Sequence, residues 1–316
     1  MVDGGDLFFP KARLGDEIIE KEKIKARAML AGFNQIGADA VNVGDNDLAA
    51  GLPFLKELAD SAHFPLLSAT LVDGEGNLLF KPYTVVERGG VRIGLIGASS
   101  EVESEGSYQS LAFLPTVGRV AEEVASQADI LILLFHGSDE DKKTLVASGL
   151  PIDLILQSHV KRYDPDFGQG AIPASALGRQ GKYINMITAT IRSPEQPLVD
   201  LTIPRRTLKF VEKSRKRLRR NRDQETPLEE LYAESPRILE RIKDLEQREA
   251  EAQGIIAKAV NTIDSERIAL GNKVEDDEAV LALVNAAKRA MEKVTVSAGE
   301  GENGQKQSRP GRLAAQ

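Results

Sequence analysis

The sequence predicts an α/β domain that is followed by a mostly helical extension. Up to about residue 204, short apolar runs alternate with stretches of helical periodicity, which is typical of α/β proteins. One run, 130–135, is apolar at every position, as expected for a strand in a sheet covered on both faces. After residue 205, the apolar residues recur mainly at helical spacing. The chain of 316 residues is 41% hydrophobic and 28% charged, which suits one large soluble domain with an appendage.

The predicted elements of the α/β part follow from hydrophobic periodicity and turn residues. Gly89 and Gly90 lie between two strand-like runs and predict a hairpin turn. In chain order, helices are predicted at 16–36, 47–62, 116–127 and 139–147, and strands at 39–43, 65–71, 78–88, 91–98, 130–135, 152–156, 182–191 and 198–203.

The composition divides the rest of the chain into three parts. Residues 205–225 are predicted to be a basic joint, and 226–296 a helical extension that forms a hairpin or coiled coil. The apolar seam of this extension, which includes Ile263, Val280 and Met291 at helical spacing, suits packing within the chain better than self-association or a protein partner. Residues 297–316 are rich in Gly, Glu and Gln, which predicts a disordered tail.

The charge is distributed very unevenly along the chain. The formal net charge is −7, but the joint carries +9 between Arg205 and Arg222, so the remaining residues sum to −16. A short basic segment on an acidic chain is not typical of a dedicated nucleic-acid-binding protein, so nucleic acid is not an expected partner. A contact of this segment with phosphates or with an anionic membrane remains open, but a solvated linker or a helix that pairs with the acidic part of the chain is favoured.

The residue types that the chain lacks limit its chemistry. There is no cysteine, which excludes disulfides, zinc–thiolate sites, iron–sulfur clusters and thiol nucleophiles. With three histidines and no tryptophan, a metal site would use mostly carboxylates. The sequence contains no run of eighteen apolar residues, so no transmembrane segment is predicted. The first residues lack the features of a signal peptide, and the chain as written is therefore expected in the cytoplasm.

Polar side chains lie just after short strand-like segments at four places in the α/β part, the first of these segments being Met1 and Val2. They are Asp6, Asp45, His136 and His159. Each one alone has a simpler explanation, since an aspartate after glycines often forms a turn and a histidine after a strand often bonds a loop carbonyl. Together they predict a divalent-metal site, because ligands bind at the carboxyl ends of the strands in open α/β sheets. Asp47 is expected instead to cap the following helix.

Six motifs, in this order and spacing, resemble the calcineurin-like metallophosphoesterases, and more narrowly the catalytic domain of the bacterial 5′-nucleotidase/UDP-sugar hydrolase family. The resemblance covers about residues 1–204 and implies a layered α/β/β/α sandwich. It also implies two-metal hydrolysis of phosphate esters or anhydrides. The motifs are Gly5-Asp6-Leu7-Phe8, Gly44-Asp45-Asn46-Asp47, Ser68-Ala69-Thr70-Leu71, Gly90-Val91-Arg92-Ile93-Gly94-Leu95-Ile96-Gly97, Leu134-Phe135-His136-Gly137 and Ser158-His159.

The resemblance implies a role for each of the four strand-end residues. Asp6 takes the place of the bridging aspartate, and Asp45 stands where the family has asparagine. His136 takes the place of the strand-end histidine, and His159 that of the first histidine of a paired motif. These residues imply one site for a divalent ion of Mn, Zn, Mg or Fe.

Other positions depart from the family pattern. Asn46 stands where the family has its transition-state-stabilising histidine, and Ala49 replaces the aspartate that orients this histidine. Lys161 replaces a histidine ligand of the second metal, which leaves the second site in doubt. The alternative to a weakened hydrolase is therefore an inactive binding or scaffold protein that acts through its helical tail.

Two further segments of the family pattern are absent from this sequence. The chain begins at Met1 and Val2 partway through what should be the second strand, without the family's opening Asp-Xaa-His motif. We therefore expect a true start upstream, and a signal peptide there would make the protein periplasmic. The nucleotide-binding C-terminal domain is also replaced, and beyond Phe210 the only aromatic residue is Tyr232. A phosphorylated small molecule is the expected substrate, and a nucleotide is the less favoured member of this class.

Overall fold

A computed structural model describes residues 1–100, 102, 106–160, 172–178, 181–193 and 196–304 of the chain. Thirteen strands lie within these residues. They are β1 (Val2–Asp3), β2 (Ala40–Asn42), β3 (Leu66–Leu67), β4 (Leu71–Val72), β5 (Tyr83–Arg88), β6 (Val91–Ser99), β7 (Gln109–Ser110), β8 (Ile130–His136), β9 (Leu154–Ser158), β10 (Ala174–Ala176), β11 (Tyr183–Thr190), β12 (Leu198–Asp200) and β13 (Asn261–Ala269).

Eight α-helices and one turn of 3₁₀-helix, Asn46–Leu48, complete the described structure. Among the described residues, none of the helices is long and apolar enough to cross a membrane. The α-helices are α1 (Asp16–Ile36), α2 (Leu52–Ser61), α3 (Phe113–Ala125), α4 (Asp139–Ala147), α5 (Thr202–Arg219), α6 (Leu228–Leu231), α7 (Pro236–Lys258) and α8 (Glu278–Gly304).

Two sheets form the centre of the α/β part. Three parallel strands form the first sheet in the order β1-β2-β3. Five strands form the second sheet in the order β10-β9-β8-β6-β5, and only β5 is antiparallel to its neighbour. The β5–β6 pair closes through the predicted turn, with Arg88 opposite Val91.

Apolar side chains hold four layers together. Helices α1 and α2 pack on the outer face of the three-stranded sheet, for example through Leu30 and Leu55. The inner faces of the two sheets meet at Leu67, Leu95 and Leu134. Helices α3 and α4 cover the outer face of the five-stranded sheet in a third cluster. The predicted α/β/β/α sandwich is therefore confirmed.

The continuous apolar run of β8 is explained by these layers. Its side chains alternate between the two faces of the sheet, so that Leu133 packs toward α3 and α4 while Leu134 packs between the sheets. Both residues are fully buried. Because each face is covered, neither face tolerates a polar residue before His136, at the end of the strand.

The segment predicted as a basic joint, 205–225, is helical over residues 205–219. Helix α5 starts at Thr202, where a strand to residue 203 was expected, and packs against α7 and β13. Its buried side includes Pro204 and Val211. Helix α5 contains few apolar residues among its many charged ones. It is therefore stabilised mainly by the packing of its buried side against the rest of the protein, which its composition does not indicate.

The extension is mostly helical, as predicted, but it also contains strand β13. Ile263 was expected in a helical seam and instead lies in this strand. Strand β13 pairs antiparallel with β11 and parallel with β12, in a third sheet of order β11-β13-β12. The side chain of Ile263 packs with Leu154 of the α/β part. Pairing over this distance along the chain gives no local signal in the sequence.

The helices of the extension pack within the chain. Helix α7 packs against α5, and α8 packs back along α1. The seam residues of α8 that we predicted, such as Val280 and Met291, are half-buried, and Val280 lies beside Gly32 of α1. Helix α8 extends to Gly304, whereas disorder was expected from Ser297. Residues 305–316 lie outside the described residues.

Candidate metal centre

Four strand ends from the two sheets bring the four predicted metal-binding side chains together. Asp6 and Asp45 follow β1 and β2 of the three-stranded sheet. His136 is the last residue of β8, and His159 directly follows β9. Because parallel strands point in the same direction, these residues meet at the carboxyl edge of both sheets.

The ligand atoms of this cluster lie close to one another. His136 Nε2 is 3.1 Å from Asp6 Oδ1 and 3.1 Å from Asp45 Oδ1. His159 Nδ1 is 3.2 Å from Asp6 Oδ2 and 3.8 Å from Asp45 Oδ1. The two imidazole rings meet edge to face, with 4.6 Å between their centroids. One ligand atom from each of the four residues can be chosen so that all lie within 4.8 Å of one another.

The donor set fits a divalent cation. Atoms that bind one such ion at about 2.0–2.2 Å lie at most about 4.4 Å apart, so small side-chain movements would complete the coordination. Among the described residues, His136 Nε2 and Asp45 Oδ1 are buried and have no hydrogen-bond partner. Buried polar atoms without partners are costly, and a shared cation would satisfy both. The two carboxylates also balance the charge of a divalent ion.

Backbone conformation directs two of the ligands into the cluster. Asp6 and His159 both have a φ of 64°, in the left-handed region that residues with a Cβ rarely adopt. Gly5, with a φ of 113°, makes the turn that precedes Asp6. Such conformations carry strain and concentrate at functional sites. At Gly44, an added Cβ would lie 2.7 Å from the backbone nitrogen of Asp6 and 2.7 Å from Cδ2 of His136.

Asn46 contacts Asp6 with both its backbone and its side chain. Its backbone N–H donates to Asp6 Oδ1 at 3.1 Å, and its side-chain amide donates to Asp6 Oδ2 at 2.9 Å. These two bonds fix the rotation of the carboxylate relative to His136 and His159. Asn46 therefore acts on the cluster through Asp6, a role that its place in the family motif did not indicate.

Asp47 connects the two loops that carry the aspartates. Its carboxylate accepts hydrogen bonds from the backbone N–H groups of Asp6, Phe8 and Gly44, at 3.0, 2.9 and 2.9 Å. The expected cap on α2 was wrong, since Gly51 precedes that helix and no side chain caps it. The cap prediction used local spacing, whereas two of the three N–H donors lie about forty residues away in the chain.

Two further positions at which the sequence departs from the family pattern are Ala49 and Lys161. Ala49 packs at the edge of the apolar cluster around α1 and α2. It therefore has a structural role and cannot orient a polar neighbour. Lys161 lies outside the described residues.

The metal-free cluster has shifted proton affinities. Burial opposes protonation of His136, but the carboxylates of Asp45 and Asp6 beside it outweigh this effect and raise its pKa to about 9. Burial would raise the pKa of Asp45, but the adjacent imidazoles of His136 and His159 lower it overall. Burial and the negative charge of Asp6 raise the pKa of Asp47 to about 7, against the hydrogen bonds from Phe8 and Gly44. The metal-free centre thus holds protons where a cation would otherwise sit.

These shifts predict that the metal-free protein loses stability as the pH rises. The folded pKa of His136 exceeds its ordinary 6.5, so its contribution is complete below pH 6.5 and is lost as the pH rises through 9. The folded pKa of Asp47 exceeds its ordinary 3.8, so stability also falls between that value and about 7. In urea unfolding with EDTA, we expect the unfolding free energy to drop by a few kcal/mol from about pH 5.5 to 8.5. Saturating Mn²⁺ should reduce this drop, whereas a free energy that rises with pH in EDTA would contradict the assignment.

Comparison with known sequences finds relatives that are named metallophosphoesterase and 5′-nucleotidase. No family model matches the chain. It is 28% identical over 178 residues to the "uncharacterized metallophosphoesterase YunD" of Bacillus subtilis. The aligned region covers 52% of this chain and 38% of that protein. It is also 30% identical over 102 residues to a 5′-nucleotidase of Vibrio parahaemolyticus, and this alignment covers 32% of this chain and 17% of that protein. The chain thus spans less than two fifths of the length of these relatives.

Comparison with solved structures covers more of the molecule. The calcineurin-like phosphoesterase YfkN from Bacillus subtilis superposes with a TM-score of 0.61 at 16% sequence identity. The superposition covers 93% of this chain and 84% of that one. At this identity the likeness shows the fold, including part of the segment after residue 204. The protein has the calcineurin-like phosphoesterase fold, and its sequence homologues are named metallophosphoesterases and 5′-nucleotidases.

Proposed function

We propose that the protein is a metal-dependent hydrolase of phosphate esters or anhydrides in small molecules. The observation that carries the proposal is the convergence of two carboxylates and two imidazoles within 4.8 Å at the carboxyl edge of the sheets. The sequence relatives named metallophosphoesterase and 5′-nucleotidase support the same class of reaction. Nucleotides therefore belong in the substrate panel.

The residues of the cluster have separate tasks in this proposal. Asp6, Asp45, His136 and His159 would hold the ion, which when bound polarises a phosphoryl oxygen and makes a water more acidic. His136 is 3% exposed at its side chain and His159 is 37% exposed, so the cluster opens to solvent on the side of His159. A substrate phosphate would approach from that side.

Hydrogen bonds from the surrounding residues hold the ligands in place. Asn46 fixes the carboxylate of Asp6. Asp47 accepts hydrogen bonds from the backbone of the Asp6 loop and from Gly44, and so holds the two loops that carry the aspartates. Such outer contacts commonly change metal affinity by about 10–100-fold when removed. Asn46 is a positioning residue in this proposal, because its side-chain amide bonds Asp6 and an amide is too weak an acid to donate a proton to a leaving group.

Replacement of His136 is the test of this function. Wild-type protein with Mn²⁺ is expected to hydrolyse bis(p-nitrophenyl) phosphate or a member of a nucleotide panel, and His136→Ala should reduce turnover to background because it removes a buried ligand. His63→Ala is the matched control, since this exposed histidine lies in the turn after α2 and contacts Asn34 through its backbone. Turnover should remain unchanged in the control.

The same assay distinguishes the proposed hydrolase from an inactive scaffold protein. An inactive scaffold protein would show no metal-stimulated turnover in the wild type, which would refute the proposed hydrolase. Equal turnover in wild type and His136→Ala would also refute it. A scaffold protein that acts through its helical tail needs apolar helix faces that are free to bind a partner. Much of the apolar faces of α7 and α8 is instead buried within the chain, against α5 and α1 respectively.

A further inference from the structure

The exposed side of α5 carries most of the basic residues of the segment 205–222. Pro204, Val211 and Ser214 are buried on the opposite side, against the rest of the protein. The exposed basic residues are Arg205, Arg206, Lys209, Lys213, Lys216, Arg217 and Arg220, and we refer to them as the α5 basic face. Helical geometry therefore gathers on one face the charges that the sequence presents as a joint.

Neighbouring carboxylates neutralise only part of this face. Arg205 pairs with Asp264, and Lys216 pairs with Glu212 on the same helix. Within the described part of the chain, Lys209, Lys213 and Arg217 form no ion pair with a carboxylate. These charges repel one another in a protein that is otherwise acidic, and a polyanion would relieve that repulsion.

Clefts adjoin the face along its length. One cleft of about 380 Å³ lies between the first half of α5 and β13, and its basic residues Arg205, Arg206, Lys209 and Arg267 outnumber its acidic residues Asp264 and Glu266. Another of about 350 Å³ lies beside the second half of α5, and its basic residues Arg215, Lys216, Arg219 and Arg220 outnumber its acidic residues Glu212 and Glu249. Both clefts therefore have an excess of positive charge, and they can partly enclose phosphates of an extended ligand that lies along the helix.

We propose that the α5 basic face binds single-stranded nucleic acid. From Arg205 to Arg220 the backbone spans about 22 Å, which is the length of about six phosphates of a single strand whose bases stack as in a duplex, at ~3.4 Å each. Phe210 lies beside the face and is 50% exposed, which is unusual for a large aromatic side chain. Basic residues that follow a backbone, with an aromatic ring on which a base can stack, are the features that bind single strands.

The apolar side of α5 argues against an anionic membrane as the partner. A helix that lies in a membrane surface inserts its apolar face at the acyl boundary. In α5 that face is already buried against α7 and β13. Only Ile203 and Phe210 are exposed apolar residues on this helix, and they lie at the edge of the basic face. A nucleic-acid strand needs no apolar face to insert.

The binding test uses the full-length protein and a fluorescent oligothymidylate of about 20 nucleotides. We expect anisotropy to report binding whose affinity falls with NaCl, with a log–log slope of about −4 for about six phosphate contacts. The triple variant Lys209→Gln, Lys213→Gln, Arg217→Gln should bind at least about tenfold more weakly, with a slope smaller by about 2. The control triple variant changes three exposed lysines elsewhere in the fold, at Lys56, Lys81 and Lys288. It should bind like the wild type.

Phe210 tests the preference for a single strand. Phe210→Leu keeps an apolar side chain but removes the ring, so it should weaken oligothymidylate binding by about fivefold or more and leave binding of a duplex of equal length unchanged. All variants should melt at the wild-type temperature, since the changed residues are exposed. The proposal is overturned if the oligonucleotide does not bind at about 50 mM NaCl, if the two triple variants bind alike, or if Phe210→Leu has no effect. Binding only to vesicles that contain phosphatidylserine would also overturn it.

Discussion

Asp6→Ala is expected to abolish both metal binding and metal-dependent turnover. Asp6 is the residue that contacts the largest part of the cluster, since its carboxylate lies 3.1 Å from His136 Nε2 and 3.2 Å from His159 Nδ1 and accepts two bonds from Asn46. Removal of this carboxylate takes a ligand away and leaves the other groups without the partner that orients them. The loss should therefore exceed that caused by replacing any outer contact, which is about 10–100-fold in affinity.

Asp6→Asn separates the charge of this ligand from its shape. Asparagine keeps one oxygen ligand but removes a negative charge, and its amide nitrogen would face the N–H donors of Asn46. We expect Mn²⁺ affinity between those of the wild type and Asp6→Ala, measured by titration calorimetry. Wild-type affinity in Asp6→Ala would show that the ion is held without this residue and would contradict the assigned cluster.

Gly44→Ala is expected to disrupt the centre without removing any ligand. The added Cβ would lie 2.7 Å from the backbone nitrogen of Asp6 and 2.7 Å from Cδ2 of His136, closer than such atoms can approach. The loop of Asp6 or the end of β8 must then move, and either movement separates the ligands. We expect loss of turnover together with a decrease of about 1–3 kcal/mol in the unfolding free energy, measured by urea denaturation.

Gly74→Ala is the matched control for this substitution. An added Cβ at Gly74 would have no atom within 4 Å, so stability and turnover should both remain at wild-type values. Retention of full metal affinity in Gly44→Ala would mean that the two ligands are not held as closely as the structure places them.

Local sequence signals predicted much of the α/β part because its elements are stabilised by regular patterns. Helices at 16–36 and 139–147 were predicted with the bounds that the structure has. The apolar run at 130–135 identified β8, since a strand covered on both faces needs apolar residues throughout. Strand ends then indicated which polar residues meet at one edge.

Elements stabilised by distant partners could not be predicted in the same way. Strand β13 forms by pairing with β11, whose residues lie about eighty positions earlier in the chain, and its own pattern continued the helical seam of α7. Helix α5 has so few apolar residues that its sequence left a linker and a helix both open, and burial of Val211 and its neighbours stabilises the helix. In both cases pairing and packing partners, rather than local preference, determine the structure.

The same distinction applies to the candidate site. The positions of Asp6, Asp45, His136 and His159 at strand ends were sufficient to group them, because the topology of a parallel sheet brings such ends together. The contacts of Asn46 and Asp47 were not predictable, because both depend on the left-handed turn at Asp6, about forty residues earlier in the chain. A local motif cannot reveal such a turn.

Titration of Mn²⁺ into metal-free protein is the most direct test of a shared ion at the strand ends. Isothermal calorimetry of the wild type should show saturable binding with proton release, because the ion displaces the proton that His136 otherwise holds. His136→Ala should abolish this binding, and His63→Ala should preserve it. Equal Mn²⁺ binding by the wild type and His136→Ala would contradict the account, because the four side chains would then not be the site of the ion.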